Sequence, residues 1–223
     1  MHVQWYGQSA FLLRAPHATV VIDPIGDVSG LAARGITFDY PAIAGVSADL
    51  VLVTHEHADH NGVEAIGGSP VTVRSMAGTF ESPIGDVVAI ASEHDPVAGT
   101  ERGPNTIVVF DFDGSRVAHF GDFGQSALRD EQAAVLGQLD GMFVPIGGGF
   151  TIGAQDAAAL VERVAPRWVV PMHYRTHRVN FLEEPDAFLE RVGNVHRLDG
   201  ASFDTATLPP GDGSPLVVVP QAP

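Results

Sequence analysis

The chain has 223 residues, 45% of them hydrophobic and 17% charged, which is enough apolar material for a sizeable core and excludes a disordered polar chain. Acidic residues outnumber basic ones 27 to 12, for a formal charge of −15; no Lys/Arg-rich run is present to displace the counterions of a nucleic acid, so none is expected as a partner. The absence of cysteine excludes disulfides and thiolate ligands, and any metal has to be held by His, Asp or Glu.

In chain order, His2 to Tyr6, Phe11 to Leu13 and Thr19 to Asp23 are predicted strands. Residues 25–48 are rich in Gly and Ala with weak periodicity, and read as loop with a short helix at most. Leu50-Val51-Leu52-Val53 is a continuous apolar run, the pattern of a strand buried on both faces. Val71 to Val73 and Val87 to Ala91 are further strands. Thr106 to Phe112 and Ser115 to Phe120 flank Asp113-Gly114, a strong hairpin signal. A helix is expected over Arg129 to Leu139, a strand over Gly141 to Pro145, and a helix over Gln155 to Val164 that stops before Pro166. Arg167 to Met172 is the next strand. Pro185 to Val192 is a short helix with Pro185 near its first position. The turn-rich Pro209 to Gly213 leads to a last apolar run, Leu216 to Val219.

No low-complexity linker divides the chain, so one α/β domain over residues 1–223 is expected. The start, Met1-His2-Val3-Gln4-Trp5, has no basic stretch, and no window of about 18 apolar residues occurs. Neither a secretory signal nor a membrane partner is expected from this, and a cytoplasmic location is the default.

Residues 54 to 60 read Thr-His-Glu-His-Ala-Asp-His, directly after the buried run. His55 and His57 are two apart, so in an extended segment they point to the same side. Asp59 and His60 swing to a neighbouring position once the chain turns. That spacing can serve two metals. Two-metal hydrolytic sites keep the ions roughly 3.5–4 Å apart and share a bridging group. Three downstream residues, each after a predicted strand, are candidates to complete the set: His94, Asp122 and His173.

This His-x-His-x-Asp-His cluster, followed by a strand-end His, by Gly121-Asp122 and by Pro171-Met172-His173-Tyr174, resembles the metallo-β-lactamase superfamily. The nearer likeness is to its short bacterial branch of metal-dependent hydrolases related to the ascorbate-phosphate lactonases. Trp5-Tyr6-Gly7-Gln8-Ser9-Ala10-Phe11, Ile22-Asp23-Pro24 and Pro145-Ile146-Gly147-Gly148-Gly149-Phe150-Thr151 are similar to that branch's start and signature loop. The resemblance implies a four-layer αβ/βα sandwich with the metals at one edge. It implies that His55, His57 and His94 bind a first ion, that Asp59, His60 and His173 bind a second, and that Asp122 bridges them. Where the branch often has Gly-His-Ser, this chain has Gly7-Gln8-Ser9.

Other residues carry two readings each. His119 either orients a ligand carboxylate or is a hydrogen-bonded structural histidine. Asp23 either buttresses a metal-bound His or is a turn residue before Pro24. Glu56 faces away from its two neighbours and is expected in solvent. Tyr174, Arg175, His177 and Arg178 line the pocket or belong to a surface loop. His2, His17 and His196 have no partner pattern. Backbone N–H groups of Gly148 to Thr151 are expected as oxyanion donors.

The chemistry expected is hydrolysis of a small ester, lactone or phosphoester by a metal-bridging hydroxide, with Asp59 both ligating and steering a proton. Zn²⁺ suits the donors, and Mn²⁺ or Fe²⁺ fit nearly as well. The alternative is an iron-dependent oxygenase or redox protein on the same fold. The partner expected is a small-molecule substrate; nothing in the sequence sets the oligomeric state.

Overall fold

The computed structural model describes residues 1–211 and 213–223. Two mixed sheets form its framework. The first runs β13 (Ser202–Asp204), β1 (His2–Gly7), β2 (Ala10–Ala15), β3 (Ala18–Ile22), β4 (Ser47–Val53) and β5 (Gly67–Arg74), with β3, β4 and β5 mutually parallel. The second has eight strands, in the order β12 (Val195–Arg197), β14 (Leu216–Val219), β11 (Trp168–Met172), β10 (Gly141–Pro145), β9 (Ser115–His119), β8 (Pro104–Phe112), β7 (Gly85–Glu93) and β6 (Gly78–Ser82). Strands β9, β10, β11, β14 and β12 are parallel, and β6 to β9 form an antiparallel meander.

The two-residue period of a strand decides how the first sheet is packed. Phe11, Leu13, Val20, Ile22, Leu50 and Leu52 enter the main core with the second sheet. Their neighbours Ala10, Leu12, Val21, Val51 and Val53 face the other way, into a smaller cluster closed by Ile43, Val46 and Ile66. That is why the run at 50–53 is apolar throughout. The ring of Phe11 meets that of Phe143, on β10, with centroids 4.5 Å apart, and Phe143 meets Trp168 at 5.6 Å. Each such fully buried aromatic contributes roughly 1.5–3 kcal/mol. The outer cover of the first sheet comes from the 24–48 segment, whose one helical turn is the 3-10 stretch Ser29–Arg34.

The helices follow parallel strands of the second sheet. Helix α1 (Asp130–Leu136) opens with Gln132 Oε1 accepting the Arg129 N–H at 2.9 Å. It stops short of the expected Leu139 because Gly137 turns to φ +62°. Helix α2 (Ala154–Val164) buries Ala157, Leu160 and Val161. It ends on Ala165 in the left-handed region, before Pro166. Helix α3 (Asp186–Val192) begins one residue after Pro185, whose missing N–H costs nothing there. The hairpin at Asp113-Gly114 is present, with both residues at positive φ. Strands β6, β12 and β13 were not expected from the sequence. β6 is a short edge strand with a single apolar residue, Phe80, and the other two are three residues long. Of the expected connector at 209–213, Asp212 lies outside the described residues. Among the described residues no helix is long and apolar enough to cross a membrane.

Candidate metal centre

Strands β3, β4, β7, β9 and β11 each deliver one chemical element at their C-terminal ends: Asp23, the 54–60 segment, His94, Asp122 and His173. Convergence of groups at such ends is the rule for sheets of this kind. The seven residues singled out from the sequence come together as two sets, His55, His57, His94 and Asp122 on one side, and Asp59, His60 and His173 on the other.

Asp122 faces both. Its Oδ2 lies 3.0 Å from His94 Nε2, 3.3 Å from His173 Nε2 and 3.8 Å from His55 Nε2. Its Oδ1 lies 3.3 Å from His60 Nε2. His55 Nε2 and His57 Nδ1 face each other at 3.0 Å, and His60 Nε2 is 3.5 Å from Asp59 Oδ2. Donors bound tetrahedrally at a metal–nitrogen distance of about 2.0–2.1 Å stand roughly 3.3–3.4 Å from one another. The spacings bracket that value, so the donors fit a cation on each side. His60 Nε2 supplies a second indication, because it is buried with no hydrogen-bond partner among the described residues. An unpaired buried nitrogen beside two carboxylates is costly in itself and suited to a cation.

The second ring nitrogen of His60 is not free. Nδ1–H donates to Asp23 Oδ2 at 2.9 Å. Asp23 also accepts the Thr54 N–H at 2.8 Å and the Thr54 hydroxyl at 2.7 Å. The same hydroxyl lies 3.1 Å from His55 Nδ1, which donates to it. Asp23 therefore buttresses a histidine, one of its two expected readings, and through the Nδ1 contacts orients the rings of His60 and His55 so that their Nε2 atoms face inward.

Asp122 is aimed by a different set. Asn105 accepts the Asp122 N–H at 3.1 Å on Oδ1 and donates from Nδ2 to Phe120 O at 2.9 Å. His119 donates from Nε2 to Ser9 O at 2.9 Å and accepts the Gly121 N–H on Nδ1 at 3.1 Å. Both its nitrogens are used on backbone, so His119 shapes the turn that carries Asp122. Gly121 has φ +55°, and a Cβ there would run into Asn105 and Thr54. Asn105, Ser9 and Thr54 were not singled out from the sequence. The one available signal was a polar residue opening the apolar strand β8.

Charge follows the same geometry. Burial opposes a charged His60, yet Asp122, Asp59 and Asp23 hold its pKa well above the ordinary range. His94 is likewise raised, against burial, by its contact with Asp122. Burial, helped by neighbouring histidines, pushes His55 well down and His57 down. Asp122 stays far below the usual carboxylate range although burial opposes it, because His173 and His60 stand beside it. Asp59 is also held down, against burial, chiefly by His60.

The remaining candidates lie elsewhere. Glu56 is exposed and bound to Arg74 at 2.7 Å. Tyr174 is buried in the core with its ring 5.5 Å from that of Trp5. Arg175 donates to Leu182 O and Arg178 to Pro223 O, which ties both to loops. His2, His17, His177 and His196 join neither set. The expected oxyanion donors need correction. The N–H groups of Gly148, Phe150 and Thr151 close tight turns on Ile152 O and Gly148 O, so three of the four expected donors are already used and only that of Gly149 stays outside these turns. Gly147 packs on the backbone of His173, where a Cβ would collide. Those glycines thus serve the approach of two loops. A cavity of about 680 Å³ surrounds Trp168, Leu208 and Leu216 at the opposite end of β11 and contains none of the seven residues.

Comparison with known proteins points the same way. Residues 2–173 match the family described as the beta-lactamase superfamily domain. A UPF0173 metal-dependent hydrolase from Thermococcus kodakarensis is 32% identical, over 86% of this chain and 92% of that protein. One from Thermus thermophilus is 31% identical, over 86% and 91%. A solved structure from Thermotoga maritima, described as a zinc-dependent hydrolase of the metallo-β-lactamase superfamily, superposes with a TM-score of 0.76 at 26% identity, covering 99% of each chain.

Proposed function

We propose that this chain, which belongs to the metallo-β-lactamase superfamily and within it to the UPF0173 metal-dependent hydrolases, is a dinuclear zinc hydrolase acting on a small ester, lactone or phosphoester. That it is a metal-dependent hydrolase follows from the family. The observation that carries the finer reading is Asp122, whose two oxygens face histidines of both sets.

His55, His57 and His94 would hold one ion, Asp59, His60 and His173 the other, and Asp122 would span them. Bound there, divalent cations lower the pKa of a shared water toward neutrality and polarise a substrate oxygen. The protein's own part is to keep the histidine lone pairs aimed inward and to move a proton. Of the two carboxylates in the sets, Asp122 is 4% exposed and Asp59 21%. Asp59 is therefore the one that substrate can reach, and the one placed to accept a hydrogen bond from the attacking water and so steer its proton. The lack of cysteine restricts the donors to imidazole and carboxylate, which favours Zn²⁺ while admitting Mn²⁺ and Fe²⁺. The lactone member of the substrate class rests on the sequence resemblance alone.

Metal analysis of purified, reconstituted protein, followed by a panel of lactones, esters and phosphodiesters, tests this. Two ions per chain and turnover of at least one class are expected. One tightly held ion at saturation would sink the dinuclear reading, and no turnover of any class would sink the substrate reading.

A further inference from the structure

The turn between β1 and β2 contains a residue with two attachments to the centre and one to the core beside it. Gln8 is fully buried, and its φ of +49° lies where residues other than glycine are uncommon. Its backbone carbonyl accepts the Trp5 indole N–H at 3.0 Å and the main-chain N–H of His173 at 3.3 Å. Its side-chain Nε2 donates to Asp59 Oδ2 at 3.2 Å. A flipped amide would set Oε1 against a carboxylate, so the donor end belongs toward Asp59.

Within the Asp59, His60 and His173 set, His60 has Asp23 behind it. His173 Nδ1 is buried without a hydrogen-bond partner among the described residues, so its ring is not oriented by a bond of that kind. Gln8 touches both remaining members, one through its backbone and one through its side chain. The amide is not there to satisfy the fold, because Gln8 Oε1 is itself buried without a hydrogen-bond partner. A hydrocarbon of the same shape would avoid that desolvated acceptor. A neutral donor also holds Asp59 without cancelling the negative charge that a cation needs.

We propose that Gln8 is the positioning residue of the second metal position, fixing Asp59 by its amide and His173 by its carbonyl. This rests on the reading that Asp59, His60 and His173 hold the second ion. The test uses metal-free wild type, Gln8→Met and Gln8→His, titrated with Co²⁺ and followed by visible absorption and calorimetry. Methionine keeps the shape and loses the donor. Histidine tolerates positive φ and supplies a ring N–H.

Wild type is expected to load in two steps. Gln8→Met should keep the first step and weaken the second by roughly 10–100-fold, with the second set of cobalt bands delayed accordingly. Gln8→His should bring the second step back toward wild type. Thermal melts of the metal-free proteins separate positioning from a merely structural role, since Gln8→Met is expected to melt no lower than wild type. A second step of unchanged strength in Gln8→Met overturns the proposal, as does a lower metal-free melting temperature with both steps weakened alike. Saturation of the wild type at one ion overturns the dinuclear reading itself, and with it the position Gln8 would serve.

Discussion

Replacing Asp122 by asparagine is the sharpest probe of the centre. The change keeps shape and removes one charge and one acceptor oxygen. The structure indicates which oxygen is lost. On the Oδ2 side the neighbours are His94, His173 and His55 Nε2 at 3.0–3.8 Å, all lone-pair donors to a cation. On the Oδ1 side the Ser9 hydroxyl, 3.5 Å away, can rotate to accept from an amide. The new NH₂ therefore settles on the Oδ1 side, facing His60, and the second ion loses its bridge first. A disturbed metal shell of this kind costs roughly 10²-fold in affinity or turnover, or about 2.8 kcal/mol at 1.4 kcal/mol per decade. The assay is metal content after dialysis against graded chelator, paired with turnover of whichever substrate the panel identifies. Glu56→Gln is the control, because Glu56 sits inside the same motif yet faces Arg74, and it should leave both readings unchanged. Equal metal content and activity in wild type and Asp122→Asn would refute the bridging role.

Three further outcomes are expected. Metal uptake at neutral pH should release protons, because Asp122 keeps His60 and His94 protonated above the ordinary histidine range in the metal-free protein. Affinity then rises with pH until those raised values are passed; a binding enthalpy independent of the buffer's ionisation heat would contradict this. Asp23→Ala leaves the Thr54 N–H and His60 Nδ1 buried without acceptors, a loss of roughly 2–6 kcal/mol at about 1–3 kcal/mol per orphaned group. Urea unfolding measures it, and a loss under about 1 kcal/mol would mean that the network relaxes onto other partners. Chelation should lower the melting temperature. Free ion at a thousandfold excess over Kd adds about 4 kcal/mol per site, or roughly 8–16 °C for a chain of this length, and an unchanged melt would show that the folded and unfolded chains hold metal equally.

Much of this architecture was legible in the sequence. The run at 50–53, the Asp113-Gly114 hairpin and the strand at 141–145 each carried a local signal that survives into the fold. The convergence of the seven candidate residues was legible because donor chemistry and spacing lie together at 55–60 and the distant members follow strand ends. What supports those donors was harder to see. Thr54, Asn105 and Ser9 act through partners far away in the chain, and no local pattern announces which strand end will meet which. Edge strands such as β6 and β13 owe their pairing to neighbours rather than to their own alternation. The Gly147–Thr151 loop misled for a related reason. Its glycines suggested a row of open backbone amides, whereas the folded loop turns those of Gly148, Phe150 and Thr151 on itself.

Asp23 stands behind His60 directly and behind His55 through the Thr54 hydroxyl. One buried carboxylate is thus the common electron-rich anchor of a ligand in each set. Occupied as proposed, an ion on His60 draws electron density through the imidazole from Asp23, and the Thr54 hydroxyl then answers to a weaker acceptor. The basicity of His55 shifts in response. Such an influence is reciprocal by thermodynamic linkage, since whatever the first ion does to the affinity of the second, the second does to the first. On the dinuclear reading the two positions would then form one coupled unit, and a loading curve analysed as two independent sites would misstate both affinities.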